Sequence, residues 1–556
     1  MARARREAKA EEARATGSPG FAEVAARAPD HLKFWALALV VGVASGYAAI
    51  GFRLAIAGLQ TLLYGADDKT IHSQAADLNP LIVLVLPILG GLAVGWLLSR
   101  FTDRNTALGV ADVIEAAALR EGRVDRQEGL ASAAASWITL STGGSTGREG
   151  PVVHLAAVIA SWVSDRLRLN GVTARDVLGC GVAAAVSASF NAPIAGALFA
   201  LEVVLRHYAV HAFGPIVVAS VAGAVISRIH MGDVTEFSLP PHTVDFYQEI
   251  PAFMLLGLLC GLVAIAFVKA LFIAERVADR VQRRVGLSAV QRPAVAGALL
   301  GATAVFFPHV IGVGYETTSL VLIGAFGFWT CVVFAVVKVA AVAFTYAGRM
   351  GGGVFSPALM LGALTGAAFG GVAGGLAPET TGGEGLYALA GMGAVAAAVL
   401  GAPISTTLIV FELTGDYQAA IAVMVAVSLA SVVAHRFVRK SVFLAQLARA
   451  GVNLAAGPMS YVPRQLKVRT LMRLRGDEAG ASDSACEQLI AQGAYLRRDD
   501  TLALALPLLD RLRRPFIPVV DVAEDGRPEL IGALYHVDAL KALNRVLLET
   551  HREEHS

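Results

Sequence analysis

The chain has 556 residues, of which 55% are hydrophobic and only 16% charged, with a formal net charge of +2 and a mean hydropathy of +0.61. Soluble domains carry about 25% charged residues, so the polar surface for several soluble domains is missing, and the near-neutral balance gives no electrostatic case for a nucleic-acid partner. The four cysteines, Cys180, Cys260, Cys331 and Cys486, lie far apart, which excludes a disulfide framework and the usual zinc patterns; no cofactor is predicted. This composition predicts a polytopic, all-α membrane protein.

Residues 1–33 mix both charge signs and read as a cytoplasmic N-terminal tail with a surface helix, since no short apolar core and cleavage site follows. Apolar runs then occupy Phe34–Phe52, Pro80–Ser99, Gly129–Gly147, Val177–Leu201, Ile250–Val268, Pro293–Tyr315, Thr317–Val337, Met350–Pro378, Gly385–Phe411 and Tyr417–Ala434. About 20 apolar residues cross a hydrocarbon core roughly 30 Å thick, and several of these runs qualify. Others are broken: Val177–Leu201 contains Asn191-Ala192-Pro193, Gly385–Phe411 contains Gly401-Ala402-Pro403, and Met350–Pro378 opens on Gly351-Gly352-Gly353. Irregular backbone inside a membrane survives only where protein or a water-filled cavity satisfies it.

The breaks repeat. Ala192-Pro193-Ile194 is followed after seven residues by Glu202, and Ala402-Pro403-Ile404 after seven by Glu412. Upstream of each lies a glycine-rich turn leading to a proline, Gly147-Arg148-Glu149-Gly150-Pro151 in one half and Gly353-Val354-Phe355-Ser356-Pro357 in the other. Interrupted segments at corresponding places in two halves point to a transporter's substrate site. Two inverted repeats of tilted, partly broken helices are therefore expected over residues 34–450. A linker is placed at 451–463, and residues 464–556 have the charge and alternation of a small α/β cytoplasmic domain. Its strands are expected at Phe516–Asp521 and Leu530–Tyr535 and a helix at His536–Leu548.

Proline suits a helix's first turn and glycine lets backbone amides face a ligand. A helix N-terminus carries about half a positive charge and free N–H groups, a ready anion site. Two such ends can hold a halide without a buried cation that would bind it too tightly to release. Glu149 sits at one of these ends. Its carboxylate is itself an anion placed to occupy the site, so protonation would remove a competitor and open the path; an ionisable residue inside a membrane is a functional candidate by default.

Together the motifs G-R-E-G-P at 147–151, G-V-F-S-P at 353–357, F-N-A-P-I-A-G-A-L-F-A-L-E ending at Glu202, and G-V-G-Y-E at 312–316 resemble the CLC family of chloride channels and proton/chloride antiporters. The resemblance implies a homodimer in which each subunit carries chloride through its own pathway, with Glu149 as the gate. It implies that Gly147, Arg148, Gly150, Gly353, Val354 and Phe355 bind the anion. Three positions depart from the family pattern. Leu108 stands where a serine hydroxyl is expected, with Thr106 the nearest hydroxyl, and Phe443 stands where a tyrosine hydroxyl is expected, so both side-chain donors to the central anion are lost. Val203 replaces the cytoplasmic-side glutamate that antiporters use to carry protons. Glu202 beside it is expected to pair with a basic residue, with a lesser role as substitute proton carrier. Histidine can titrate near neutral pH, but His154, His207 and His211 are expected to be structural.

Residues 464–556 resemble a CBS domain whose first copy is degenerate. Such modules bind adenine nucleotides; Asp538 is the ribose-binding candidate, while Tyr535 replaces the usual threonine or serine. The chain carries no paired intramembrane aspartates and no His-Glu-x-x-His, so an enzyme is not expected. The prediction is channel-like or weakly proton-coupled chloride transport in a bacterial inner membrane. A proton/chloride antiporter is the alternative, and a fluoride exporter of the same superfamily the more distant one.

Overall fold

A computed structural model describes residues 21–208, 210–232, 246–376, 383–438, 440–454, 463, 466–477, 480–522 and 528–555. The first half holds α1 (Phe21–Tyr64), α2 (Ile71–Asp77), α3 (Pro80–Phe101), α4 (Val110–Leu119), α5 (Arg126–Ser141), α6 (Glu149–Arg166), α7 (Gly171–Phe190), α8 (Pro193–Phe199) and α9 (Val210–Met231). The second holds α10 (Phe246–Val285), α11 (Gln291–Phe306), α12 (Tyr315–Leu322), α13 (Phe328–Ala347), α14 (Phe355–Leu376), α15 (Glu384–Leu400), α16 (Pro403–Thr414), α17 (Tyr417–Val438) and α18 (Val442–Arg449). Among the described residues seven helices are long and apolar enough to cross a bilayer, from Leu32–Tyr64 to Tyr417–Arg449. The 37-residue Glu249–Val285 segment exceeds the ~20 residues a perpendicular crossing needs.

Three expected runs divide. Pro293–Tyr315 ends as helix at Phe306 and resumes at Tyr315; Thr317–Val337 splits between α12 and α13; Gly129–Gly147 stops being helical at Ser141. The first helix also begins at Phe21, inside the segment read as a tail.

Local chemistry explains the repeated breaks. α7 ends on Asn191, which is left-handed at φ 55°, and Pro193 opens α8 two residues later. α15 ends on Gly401, left-handed at φ 69°, and Pro403 opens α16. A left-handed cap stops a helix and a following proline starts one, since its missing N–H is not needed in a first turn. α8 then runs into a π-helical turn, Ala200–Leu205, a form common at functional sites.

Small residues bring the long helices together. A Cβ on Gly391 of α15 would fall 2.8 Å from Gly366 Cα of α14, so only glycine permits this backbone approach, the usual means of packing where no hydrophobic force separates helix from lipid.

Beyond the membrane helices, β1 (Arg473–Leu474), α19 (Asp483–Ala491), β2 (Leu496–Arg497), α20 (Leu502–Leu512), β3 (Phe516–Val522), β4 (Pro528–Tyr535) and α21 (His536–His555) form a small α/β unit. Its sheet has the order β1-β4-β3-β2. β3 and β4 are antiparallel from Phe516↔Tyr535 to Val522↔Pro528, and β2 runs parallel to β3. Ile517, Val519 and Leu534 on the sheet pack against Leu502, Leu509 and Ala539 of the helices.

Candidate functional site

The two glycine-rich turns meet inside the bundle. Gly147 and Gly353 form an antiparallel bridge in which each N–H donates to the other's carbonyl at 2.7 Å. Thr146 Oγ1 also donates to Gly353 O at 2.8 Å. Both glycines were expected to bind an anion through their amides, but those amides are spent on each other. What the bridge does is fix the start of α6 against the start of α14. The first helical bonds are Val152 N–H to Arg148 O and Ala358 N–H to Val354 O, so the amides of Glu149, Gly150, Val354, Phe355 and Ser356 precede them, as first-turn donors do. Phe355 is fixed by ring contacts with Phe190 at 4.9 Å and Phe199 at 6.2 Å.

Glu149 is 3% exposed. Its Oε1 accepts a hydrogen bond from Tyr315 Oη at 3.1 Å and another from the Ser356 hydroxyl, while Oε2 has no partner among the described residues. Neither hydroxyl was assigned a role from the sequence, although both lie within quoted motifs; their place in the first turn of a helix was the available signal. Arg148 faces the Tyr315 ring and Asp68. Its guanidinium lies 4.7 Å over the Tyr315 ring, and Nη1 is 3.5 Å from Asp68 Oδ2. Asp68 also accepts from Gln60 at 2.9 Å; burial pushes its carboxyl above the usual range, while Arg148 and Gln60 pull it back.

The residues around Glu149 line two cavities, one with Arg148 and Tyr315 and the other with Thr146 and Gly150, termed outer and inner for reference. The outer one, of 530 Å³, is lined by Arg53, Asp68, Lys69, Arg148, Tyr315 and Ser319. The inner one, of 220 Å³, is lined by Gly109, Val110, Thr146, Gly150, Val354 and Phe443. Phe443 therefore presents an apolar ring where a hydroxyl was expected to be missing. Leu108 belongs elsewhere: it lines a separate 160 Å³ cavity with Arg104, Asp112 and Glu128, and its N–H donates to Ser132 Oγ at 3.0 Å. The turn into α4 puts Gly109, not Leu108, on the inner cavity.

Val203 is buried in the π-helical turn. Glu202 has a partner different from the basic residue expected. Its carboxylate accepts from Ile404 N–H at 3.0 Å, Ser405 N–H at 2.8 Å and Ser405 Oγ at 2.7 Å, capping α16. Glu412 answers with Ile194 N–H at 2.9 Å and Ala195 N–H at 2.7 Å, capping α8. The two helices thus lie antiparallel, each closed by the glutamate of the other, which is the repeated motif expressed as an inverted pair. A carboxylate there also suits the positive end of the helix dipole. His154 is buried, and His211 Nε2 faces Asp176 at 3.3 Å.

In the α/β unit, Asp538 is taken. Its Oδ2 accepts from Arg473 Nε at 2.8 Å, and that guanidinium lies 4.1 Å over the Tyr535 ring. The Asp538 hydrogen bond holds Arg473 above its ordinary basicity. The residue expected to meet ribose hydroxyls is thus paired with Arg473.

Residues 90–435 match the family described as voltage gated chloride channel. A ClcB-like chloride channel protein of Ralstonia nicotianae is 32% identical over 418 residues, covering 74% of this chain and 96% of that protein. Among solved structures, a slow cyanobacterial Cl-/H+ antiporter superposes with a TM-score of 0.66 at 22% identity, over 75% of this chain and 97% of that one. A eukaryotic CLC transporter superposes with a TM-score of 0.65 at 17% identity, over 91% of this chain and 98% of that one. With the bridged glycine turns, the buried glutamate whose neighbours line two cavities and the paired inverted helices, these matches establish a multi-pass membrane protein that belongs to the voltage-gated chloride channel (CLC) family.

Proposed function

We propose that this protein moves chloride across a bacterial inner membrane, with the Glu149 carboxylate closing the pathway and its protonation opening it. The observation that carries this reading is the buried Glu149 carboxylate where the starts of α6 and α14 converge, with its neighbours Arg148 and Gly150 each lining a different cavity. The carboxylate occupies donors that suit a halide. Movement is channel-like or weakly proton-coupled, because Val203 offers no titratable group and Glu202 is committed to capping α16. The test is the reversal potential of purified protein in liposomes under opposed chloride and pH gradients. A potential that follows chloride alone supports the reading; one set by both gradients at a fixed ratio makes the protein an antiporter. Chloride-independent current reversing with fluoride would favour the fluoride exporter.

A homodimer is part of this proposal. Ile194 and Ile404 at the starts of α8 and α16, and Val221 and Met424 on neighbouring α9 and α17, are exposed apolar side chains, and a second copy of the chain would cover them. The order β2-α20-β3-β4-α21, with a parallel and an antiparallel pairing, supports the CBS-like reading of 464–556. The Arg473–Asp538 pair argues against strong adenine-nucleotide binding. Deleting residues 464–556 is expected to leave chloride flux largely intact, since both cavities are lined only by earlier residues. Calorimetry with ATP or AMP is expected to show weak binding or none. Submicromolar affinity, or loss of all flux from a well-folded truncated protein, would contradict this. No catalytic step is assigned to the chain, whose work is transport.

A further inference from the structure

We propose that the hydroxyl of Tyr346 is a side-chain donor to a small monovalent anion held in the inner cavity, supplying the hydrogen bond that Leu108 and Phe443 cannot. The inference rests on the chloride-pathway reading and adds to it a residue that no motif indicated.

Tyr346 lies in the last turn of α13, just before the glycine-rich turn that leads to Val354. Its ring is steadied edge-on by Phe272 at 6.1 Å. Its oxygen accepts a hydrogen bond from Gln446 Nε2 at 3.0 Å. A phenol has one hydrogen to give, and with Gln446 donating to the oxygen, that hydrogen must be directed to an acceptor other than Gln446. Tyr346 and Gln446 both line the 220 Å³ cavity that Gly109, Val354 and Phe443 also line. Phe443 and Gln446 stand three residues apart on α18, a spacing that puts them on one helix face. α18 therefore brings an apolar ring to the cavity at 443 and, one turn on, an amide that orients a hydroxyl contributed by α13.

The charges around the cavity are compatible with an anion. Asp112 accepts the Gly109 N–H at 2.8 Å, and Glu275 is paired with Arg449 at 3.0 Å. Arg349, on the cavity wall, lies 3.4 Å from Asp279, which is also bound to Arg292 at 2.6 Å. The acidic groups are thus already partnered. The first-turn amides of α4 and α14 and a single phenol hydroxyl suit a spherical, singly charged ion. A multivalent anion such as phosphate would need a convergent set of cations, which this cavity does not supply.

The experiment is calorimetric titration of chloride into the detergent-solubilised full-length protein, alongside liposome flux. Tyr346→Phe removes only one oxygen. A hydrogen bond to an ion contributes enough that its loss is expected to weaken chloride binding by about tenfold. Gln446→Leu, which frees the phenol to rotate, is expected to weaken binding to a smaller extent. Adding Phe443→Tyr to Tyr346→Phe returns a hydroxyl to the same cavity and is expected to recover most of the affinity. Unchanged chloride affinity in Tyr346→Phe, with wild-type binding and flux otherwise normal, overturns this inference alone. Absence of chloride binding and flux in the unaltered protein overturns it together with the transport reading.

Discussion

Glu149→Gln is expected to abolish most of the pH dependence of chloride flux and to raise flux at neutral pH to at least its acidic value. Glutamine has nearly the shape of the protonated carboxyl and none of the charge, so the helix ends of α6 and α14 lose their built-in competitor. A gate that opens by protonation loses about tenfold in open population for each pH unit on the alkaline side of its titration, and the glutamine variant is spared that loss. The Ser356 and Tyr315 hydroxyls now holding Glu149 Oε1 remain available to an incoming anion. A glutamate that only complemented a helix dipole would alter stability by about 0.3–1 kcal/mol and leave the pH profile in place. Flux in liposomes measured across pH 5 to 8, a window of about three units, separates the two: a wild-type profile in Glu149→Gln removes Glu149 from the gate.

Gly352→Ala is expected to cost the protein both stability and flux. The residue has φ 109°, and an added Cβ would lie 2.8 Å from Thr146 Cβ, with the Thr146 hydroxyl and methyl closer still. Forcing a side chain into that backbone region costs about 1–3 kcal/mol, and overpacking a filled interior costs about 1–3 kcal/mol more. Thr146 cannot simply swing aside, because its hydroxyl donates to Gly353 O at 2.8 Å. Relief would come by displacing residues 352–354, which breaks the bridge to Gly147 and moves the Val354 and Phe355 amides. Thermal unfolding in detergent should fall by several degrees and flux by at least about tenfold. Gly375→Ala, where no atom lies within 4 Å of the added carbon and φ is ordinary, is the matched control and should behave as wild type.

Much of this architecture was legible in the sequence because it is carried by local chemistry. Asn191-Ala192-Pro193 and Gly401-Ala402-Pro403 announce a left-handed stop and a proline start, and both helices break there. The turns at 147–151 and 353–357 announce helix ends with free amides, and they converge. What the sequence did not disclose depends on which side chains face each other across long separations. Periodicity could not distinguish Leu108 from Gly109 on the cavity wall, because a one-residue rotation at a helix start changes the face presented. It could not show that the Gly147 and Gly353 amides pair with each other, a contact spanning the two halves. Nor did it reveal that Tyr315 and Ser356 hold Glu149, since these contacts span 166 and 207 residues of chain. Asp538 was recognisable as a polar residue at a module's usual position, yet Arg473, 65 residues earlier, had already claimed it.

The exchanged glutamates bear on how such a chain could have arisen. α8 and α16 each expose donors at their own start that nothing in the same half satisfies; Glu412 and Glu202 come from across the divide. An isolated half would leave those donors unmet, at about 1–3 kcal/mol for each one deprived of water. A second copy lying beside the first in the opposite orientation satisfies both sets of donors at once. Joining two such copies in one gene would fix a stoichiometry and an orientation that the caps already demanded. Each half therefore presents a helix start whose cap is supplied by the other.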